Sequence, residues 1–194
     1  LRAQLDTPHP AQSRQRQAFA ATAPTEPNPS LIEAPIAPPP MTLTNGLGGF
    51  TDRGRAYTIV LEGDQETPLP WVNVIANDTF GTIVTTSGST HTWSENSREN
   101  RLTSFANDPV VDPTAEALYI RDDDSGDAWS PMPGPMTRHA TSGQFVVDHS
   151  AGVTRFSRTT RGMRHELQVF VDADDPVKFS LLTLTNDGQA ARTL

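Results

Sequence analysis

Cysteine is absent from the 194 residues. That removes disulfides, thiolate metal ligands and a thiol nucleophile together, and it fits a reducing compartment. No apolar run approaches the roughly 20 residues a membrane helix needs, and Leu1 to Leu5 lack the apolar core of a signal peptide. Positive charge is scarce: 15 Lys and Arg stand against 23 Asp and Glu, for a net charge of −8. Such a surface repels phosphates, which argues against nucleic acid as a partner and against direct contact with an anionic membrane. A neutral or weakly charged ligand fits better. Hydrophobic residues make up 35%, low for a compact domain, as expected when one polar segment dilutes a normal core. The chain does not open on Met and is expected to be an excerpt from a longer protein.

The polar segment is the first 40 residues, which hold nine of the seventeen prolines. Proline removes backbone donors and is rejected by helix interiors and central strands. Too few apolar residues accompany it to offset the entropy of ordering. Residues 1–40 therefore read as a disordered, Pro-rich linker with polyproline II character at Pro38–Pro40. Within it the basic stretch Arg14–Arg16 reads either as solvated linker or as a short interaction motif.

From Met41 the texture changes. Asn45-Gly46-Leu47-Gly48-Gly49 is a turn signal. Tyr57, Ile59 and Leu61 then alternate in phase, as in a half-buried strand. Further strands are expected at Trp71–Ile75, Phe80–Val84, Ala117–Arg121, Phe145–His149, Val153–Arg158, Met163–Val171 and Val177–Thr185. A sustained helical period is missing from residue 41 onward. Short strands separated by turns predict an all-β fold, an antiparallel β-sandwich over 41–194. Arg192-Thr193-Leu194 resembles the start of another strand. The sheet would have an open edge there, so the domain is expected to continue beyond Leu194.

Motifs with chemistry are few. Gly46, Gly48 and Gly49 lack the GK[ST] of a phosphate loop, and no helical pattern follows them. Asp122-Asp123-Asp124-Ser125-Gly126-Asp127 loosely resembles a calcium loop, but Pro133 stands where the closing glutamate is required, so a hairpin turn is expected. The five histidines show no zinc-ligand spacing. Without a GxSxG elbow nothing singles out a Ser–His–Asp triad. The informative stretch is His91 to Thr103, polar on through Asn107-Asp108-Pro109. One reading is a long loop that rings a sugar: Asn96, Arg98, Glu99, Arg101, Asn107 and Asp108 supply hydrogen-bonding groups for hydroxyls. Trp93 would then offer a platform for a pyranose face. The other is a surface loop whose Arg and Glu pair with each other and whose Trp plugs the sandwich. Trp71 and Trp129 read as core.

Several stretches in order carry a resemblance: Asn45-Gly46-Leu47-Gly48-Gly49-Phe50, Pro70 to Asn77 with Phe80-Gly81, Thr92 to Thr103, Asn107-Asp108-Pro109, Ala117 to Asp122, and Trp129-Ser130-Pro131. Together they resemble the family 94 glycoside phosphorylases over residues 41–194, and in particular the phosphorylase-like region of cyclic β-1,2-glucan synthases. Ser104-Phe105 stands where the family often has Pro-Trp, and Arg138-His139 falls in a variable loop. The resemblance implies a galactose-mutarotase-like supersandwich followed by a helical linker and an (α/α)6 barrel. It implies that the barrel carries the catalytic Asp and that inorganic phosphate is a co-substrate attacking with inversion. Neither would lie in this chain, which would carry no catalytic residue, cofactor or metal of its own. The implied partners are a β-glucan oligosaccharide and the barrel of the same polypeptide. The implied place is the cytoplasmic side of a membrane-anchored parent. Two rival readings are a stand-alone carbohydrate-binding protein and a structural buttress that meets no sugar.

Overall fold

The structure is a computed structural model that describes residues 35–106, 108, 110–139 and 141–194. It is all-β and antiparallel. Among the described residues eleven strands run in chain order as β1 Gly48–Thr51, β2 Ala56–Glu62, β3 Val72–Ala76, β4 Phe80–Thr85, β5 Thr90–Ser94, β6 Ile120–Arg121, β7 Ala128–Trp129, β8 Gln144–Ser150, β9 Val153–Thr160, β10 Met163–Val171 and β11 Lys178–Asn186. One sheet has the order β1-β2-β8-β9-β10-β11, a second β3-β4-β5, and β6-β7 is a separate hairpin.

Strict alternation builds the large sheet. Along β9 every second residue is buried, and β10 opens Met163, His165, Leu167 and Val169 to the same interior. The β9–β10 turn is Arg161-Gly162, with φ of 55° and 73°. Positive φ at both central positions matches the right-handed twist of a two-residue hairpin. The inward side chains Ile59, Leu61, Phe145, Val147, Phe156, Leu167 and Val169 meet Ile75 and Val84 of the smaller sheet in one core with Met132. A second cluster joins Ile120, Trp129 and Met163. Asn73 ties the two layers: its Nδ2 donates to the Ser150 carbonyl at 2.8 Å and the Val153 carbonyl at 3.2 Å. Thus β3 is anchored on the β8–β9 hairpin.

Three expectations change in extent. The glycine cluster is only half a turn. Asn45 Oδ1 accepts from the N–H of Leu47 and of Gly48, but Gly48 and Gly49 already belong to β1. A Cβ at Gly48 would sit 2.5 Å from the Thr58 carbonyl oxygen, which explains why glycine occupies that rung. The strand expected over Ala117–Arg121 shrinks to Ile120–Arg121. Its partner β7 ends before Pro131, Pro133 and Pro135, which cannot extend a ladder. The stretch from His91 begins as strand, not loop, since β5 runs to Ser94. The Asp122–Asp127 run is the β6–β7 turn, with Asp122 Oδ1 accepting from Asp124 N and Ser125 N.

Of the Pro-rich leader, residues 1–34 lie outside the described residues. Residues 35–40 form neither helix nor strand, and Ile36 donates its N–H to Gln144 Oε1 at 2.8 Å. Among the described residues no helix is long and apolar enough to cross a membrane.

Candidate functional site

The loop that follows β5 carries most of the polar residues singled out from the sequence. Its root is Trp93, on the outer face of the small sheet opposite Gly81. A Cβ at Gly81 would come 2.3 Å from Trp93 Cζ2, so the indole lies flat on a position that only glycine leaves open. His91 continues the stack, 5.7 Å from the Trp93 ring and 4.6 Å from Phe105 at an interplanar angle of 18°. Trp93 is half-buried and bound to the sheet by its own strand.

Beyond Ser94 the alternation stops. Glu95 takes a φ of 61°, and its N–H donates to the Thr79 carbonyl at 2.6 Å. Asn96 then closes a turn: its Oδ1 accepts from the N–H of Arg98 and of Glu99, both at 2.9 Å. This is the side-chain mimic of a turn that Asn provides. The chain folds back along β5, with Ser94 N donating to Asn100 O and Leu102 N to Thr92 O. Arg101 is exposed and bridges to Trp93 through the backbone. At the crest Arg98 Nε lies 3.1 Å from Glu99 Oε1, with side chains 85% and 73% exposed. Asp108 caps a second turn by accepting from Val110 N and Val111 N. Those two bonds hold its carboxyl below the ordinary aspartate value. Asn107 lies outside the described residues.

Of the six residues, Asn96, Arg98, Glu99 and Arg101 share one fold-back, while Asp108 sits in the next turn along. The Asn96 carbonyl oxygen is already engaged, which leaves its amide, the Arg98 guanidinium, the Glu99 carboxylate and the exposed Arg101 as the groups turned outward.

Two features were silent in the sequence. Asp112 Oδ2 accepts from Thr85 Oγ1 at 2.8 Å and Ser87 Oγ at 2.6 Å, on the wall of a cavity of about 610 Å³. Asp64, Glu66 and Arg138 line the same cavity. Arg138 is largely buried, donates to the Gly63 carbonyl at 3.0 Å, and has its pKa lowered by that burial. A neighbouring, mainly apolar cavity of about 320 Å³ opens between Leu69, Val72, Ile83, His91 and Phe105. The second feature lies between the sheets. Lys178 pairs with Glu116 and reaches Thr90 Oγ1 at 3.4 Å and Thr92 Oγ1 at 3.3 Å. Burial acts to raise the Glu116 pKa, but the Lys178 and Thr92 hydrogen bonds outweigh it and the net shift is downward. The partners lie 62 residues apart, beyond any local pattern.

The family model of the glycosyl hydrolase 94 supersandwich domain matches residues 55–194. The chain is 39% identical over 150 residues to the cyclic beta-(1,2)-glucan synthase NdvB of Rhizobium meliloti, covering 77% of this chain and 5% of that protein. It is 24% identical over 147 residues to the N,N'-diacetylchitobiose phosphorylase of Vibrio proteolyticus, covering 76% of this chain and 18% of that one. To the solabiose phosphorylase of Paenibacillus borealis it is 30% identical over 156 residues, 77% of this chain and 19% of the relative. The chain thus spans less than a fifth of the length of each of these relatives.

Proposed function

Because this chain belongs to the glycosyl hydrolase 94 family as its supersandwich domain, we propose that it is the non-catalytic sandwich of a β-glucan phosphorylase-like enzyme. On this reading it helps a helical barrel elsewhere in the same polypeptide to bind β-1,2-glucan and trim it to length. The barrel supplies the acid and inorganic phosphate the nucleophile, and the sandwich works on the cytoplasmic side. The substrate reading leans on the 39% identity to a protein named as a cyclic β-1,2-glucan synthase.

The observation that carries the reading is the capped fold-back after β5. Glu95 and Asn96 fix this loop through backbone and side-chain bonds, yet Arg98 and Glu99 at its crest remain in solvent. An exposed Arg–Glu pair adds little to stability. A rigid loop that displays such groups is suited to contact a ligand or a neighbouring domain.

The test uses the longer enzyme. Arg98→Ala is expected to raise KM for β-1,2-gluco-oligosaccharide with kcat and thermal unfolding nearly unchanged, the signature of lost uniform binding. Residues 1–194 alone are expected to release no glucose 1-phosphate from the same substrate. Release by the isolated chain would overturn the non-catalytic assignment. A variant with wild-type KM and kcat would favour a structural buttress, for which the Arg98–Glu99 pairing is the supporting observation.

A further inference from the structure

Among the described residues, three asparagines hold their side-chain oxygen in the same way. Asn45 Oδ1 accepts from Leu47 N at 3.2 Å and Gly48 N at 3.0 Å. Asn77 Oδ1 accepts from Thr79 N at 2.9 Å and Phe80 N at 2.7 Å. Asn96 Oδ1 accepts from Arg98 N and Glu99 N, both at 2.9 Å. Each oxygen sits between two backbone N–H groups, and donors so aimed stabilise negative charge that develops there.

The rest of each amide is treated differently. Asn77 Nδ2 is tied down, donating to the carbonyls of Asp172 at 3.0 Å and Asp175 at 2.9 Å. Asn73 Nδ2 is held likewise by Ser150 and Val153. Asn186 Nδ2 donates to the Ala190 carbonyl at 2.8 Å, and the next N–H, of Asp187, to the Gly162 carbonyl at 2.9 Å. Asp187-Gly188 is similar to Asn45-Gly46 in sequence, but its carboxylate pairs with Arg164 and the Gly188 N–H is bonded to Asn186 Oδ1. By contrast Asn45 Nδ2 and the Gly46 N–H have no hydrogen-bond partner among the described residues. Asn96 shares that freedom, but Ser97 follows it and crowds its own nitrogen with a side chain that Gly46 lacks.

We infer that Asn45-Gly46 is a spontaneous modification site, at which the folded chain closes a succinimide and so loosens β1 from the sheet. The Gly46 nitrogen, on losing its proton to solvent base, attacks Asn45 Cγ. The new C–N bond puts negative charge on Oδ1, between the Leu47 and Gly48 N–H groups. Collapse expels Nδ2 as ammonia, with a proton taken from water. Water then opens the ring at either carbonyl and leaves aspartate or isoaspartate. In isoaspartate the main chain runs through Cβ of residue 45 and is longer by a methylene. The 3.0 Å bond from Asn45 N to Gly48 O then loses its register. Leu47 follows, which packs on the core and accepts from Val60 N at 2.8 Å. The reacting side chain and nitrogen belong to residues 45 and 46, so the inference needs no open surface, and it stands apart from the sugar reading.

The test is peptide mapping of the longer polypeptide, held folded at mildly alkaline pH. The peptide with Asn45 is expected to gain the mass of an amide-to-acid change and to split into two species, with isoaspartate in excess. Its conversion should be at least about tenfold faster than that of Asn96, with Asn73, Asn77 and Asn186 unchanged. Hydrogen exchange of the β1 amides should quicken as the isoaspartate fraction grows, while β9 keeps its protection. Asn45→Ser keeps an oxygen for the Leu47 N–H and should show neither change. Asn45 staying intact in the folded chain while the urea-unfolded chain converts overturns the inference, as does conversion of Asn77 or Asn96 at the same rate. Conversion with β1 protection unchanged overturns the loosening of the strand.

Discussion

Acid should unfold this domain well above the pH at which its carboxylates are neutralised, and one buried and one half-buried histidine are the reason. His165 lies in the core, where its Nε2 accepts from Trp129 Nε1 at 2.8 Å. Burial first, and then the neighbouring Arg158, push its pKa down to about 4. His149 contacts Thr154 Oγ1 through Nδ1 at 3.0 Å and is likewise pushed down by burial to about 4. Both start from 6.5 in an unfolded chain. Between those values the unfolded chain binds protons that the folded one refuses, so stability is complete above about pH 6.5 and is lost as pH falls toward 4. At about pH 5 each histidine costs about 2 kcal/mol, and the pair about 4 kcal/mol, a large share of a typical domain's stability. The depressed carboxylates Glu116, Asp108 and Asp172 act in the same direction but only below their ordinary values of 4.5 and 3.8. The window from about pH 6.5 to 5 therefore isolates the histidines. Urea unfolding across that window should show the midpoint falling steadily with little change in slope. His149→Gln and His165→Gln, the second keeping an acceptor for Trp129, should each flatten the curve, and together abolish most of it. A double variant that loses stability between pH 6.5 and 5 as steeply as the parent would refute the reasoning.

Two further perturbations probe the site's supports. Gly81→Ala must displace the indole of Trp93. It is expected to cost about 1–3 kcal/mol in denaturant unfolding, and much less in a Trp93→Ala background, where the two changes couple. Lys178→Met strands the half-buried Glu116 carboxylate, and Glu116→Gln removes the ammonium's charge partner. Each should cost about 1–3 kcal/mol, below the figure for fully buried pairs because both side chains keep some solvent contact. The Glu116 contribution should be present above its ordinary value of 4.5 and fade as pH falls below it.

How far the sequence could be read depended on whether a strand's buried face was apolar. Strands β9 and β10 bury Phe156, Leu167 and Val169, and their alternation is plain without coordinates. Strand β5 carries no apolar alternation because Thr90 and Thr92 are its inward residues. They face the Lys178 ammonium across the sandwich, so no hydrophobic period exists to detect. The same polarity made residues 91–103 read as one long loop. The family resemblance was legible in ordered motifs that no single spacing rule explains, and the match over residues 55–194 bears it out.

The inward polarity of β5 also bears on how the loop comes to be placed. Thr92 Oγ1 donates to Glu116 Oε1 at 2.7 Å while Glu116 pairs with Lys178 of β11. Thr92 N in turn donates to Thr103 Oγ1 at 2.8 Å, and Thr92 O accepts from the N–H of Leu102. One threonine thus joins the large sheet, the strand before the fold-back and the chain after it. An apolar residue at position 92 would satisfy packing but would leave Glu116 and Lys178 half-buried with fewer partners, and buried charge is tolerated only when its hydrogen bonds are complete. The polar interior that hid the strand from sequence reading is therefore the same feature that fixes where Arg98 and Glu99 emerge.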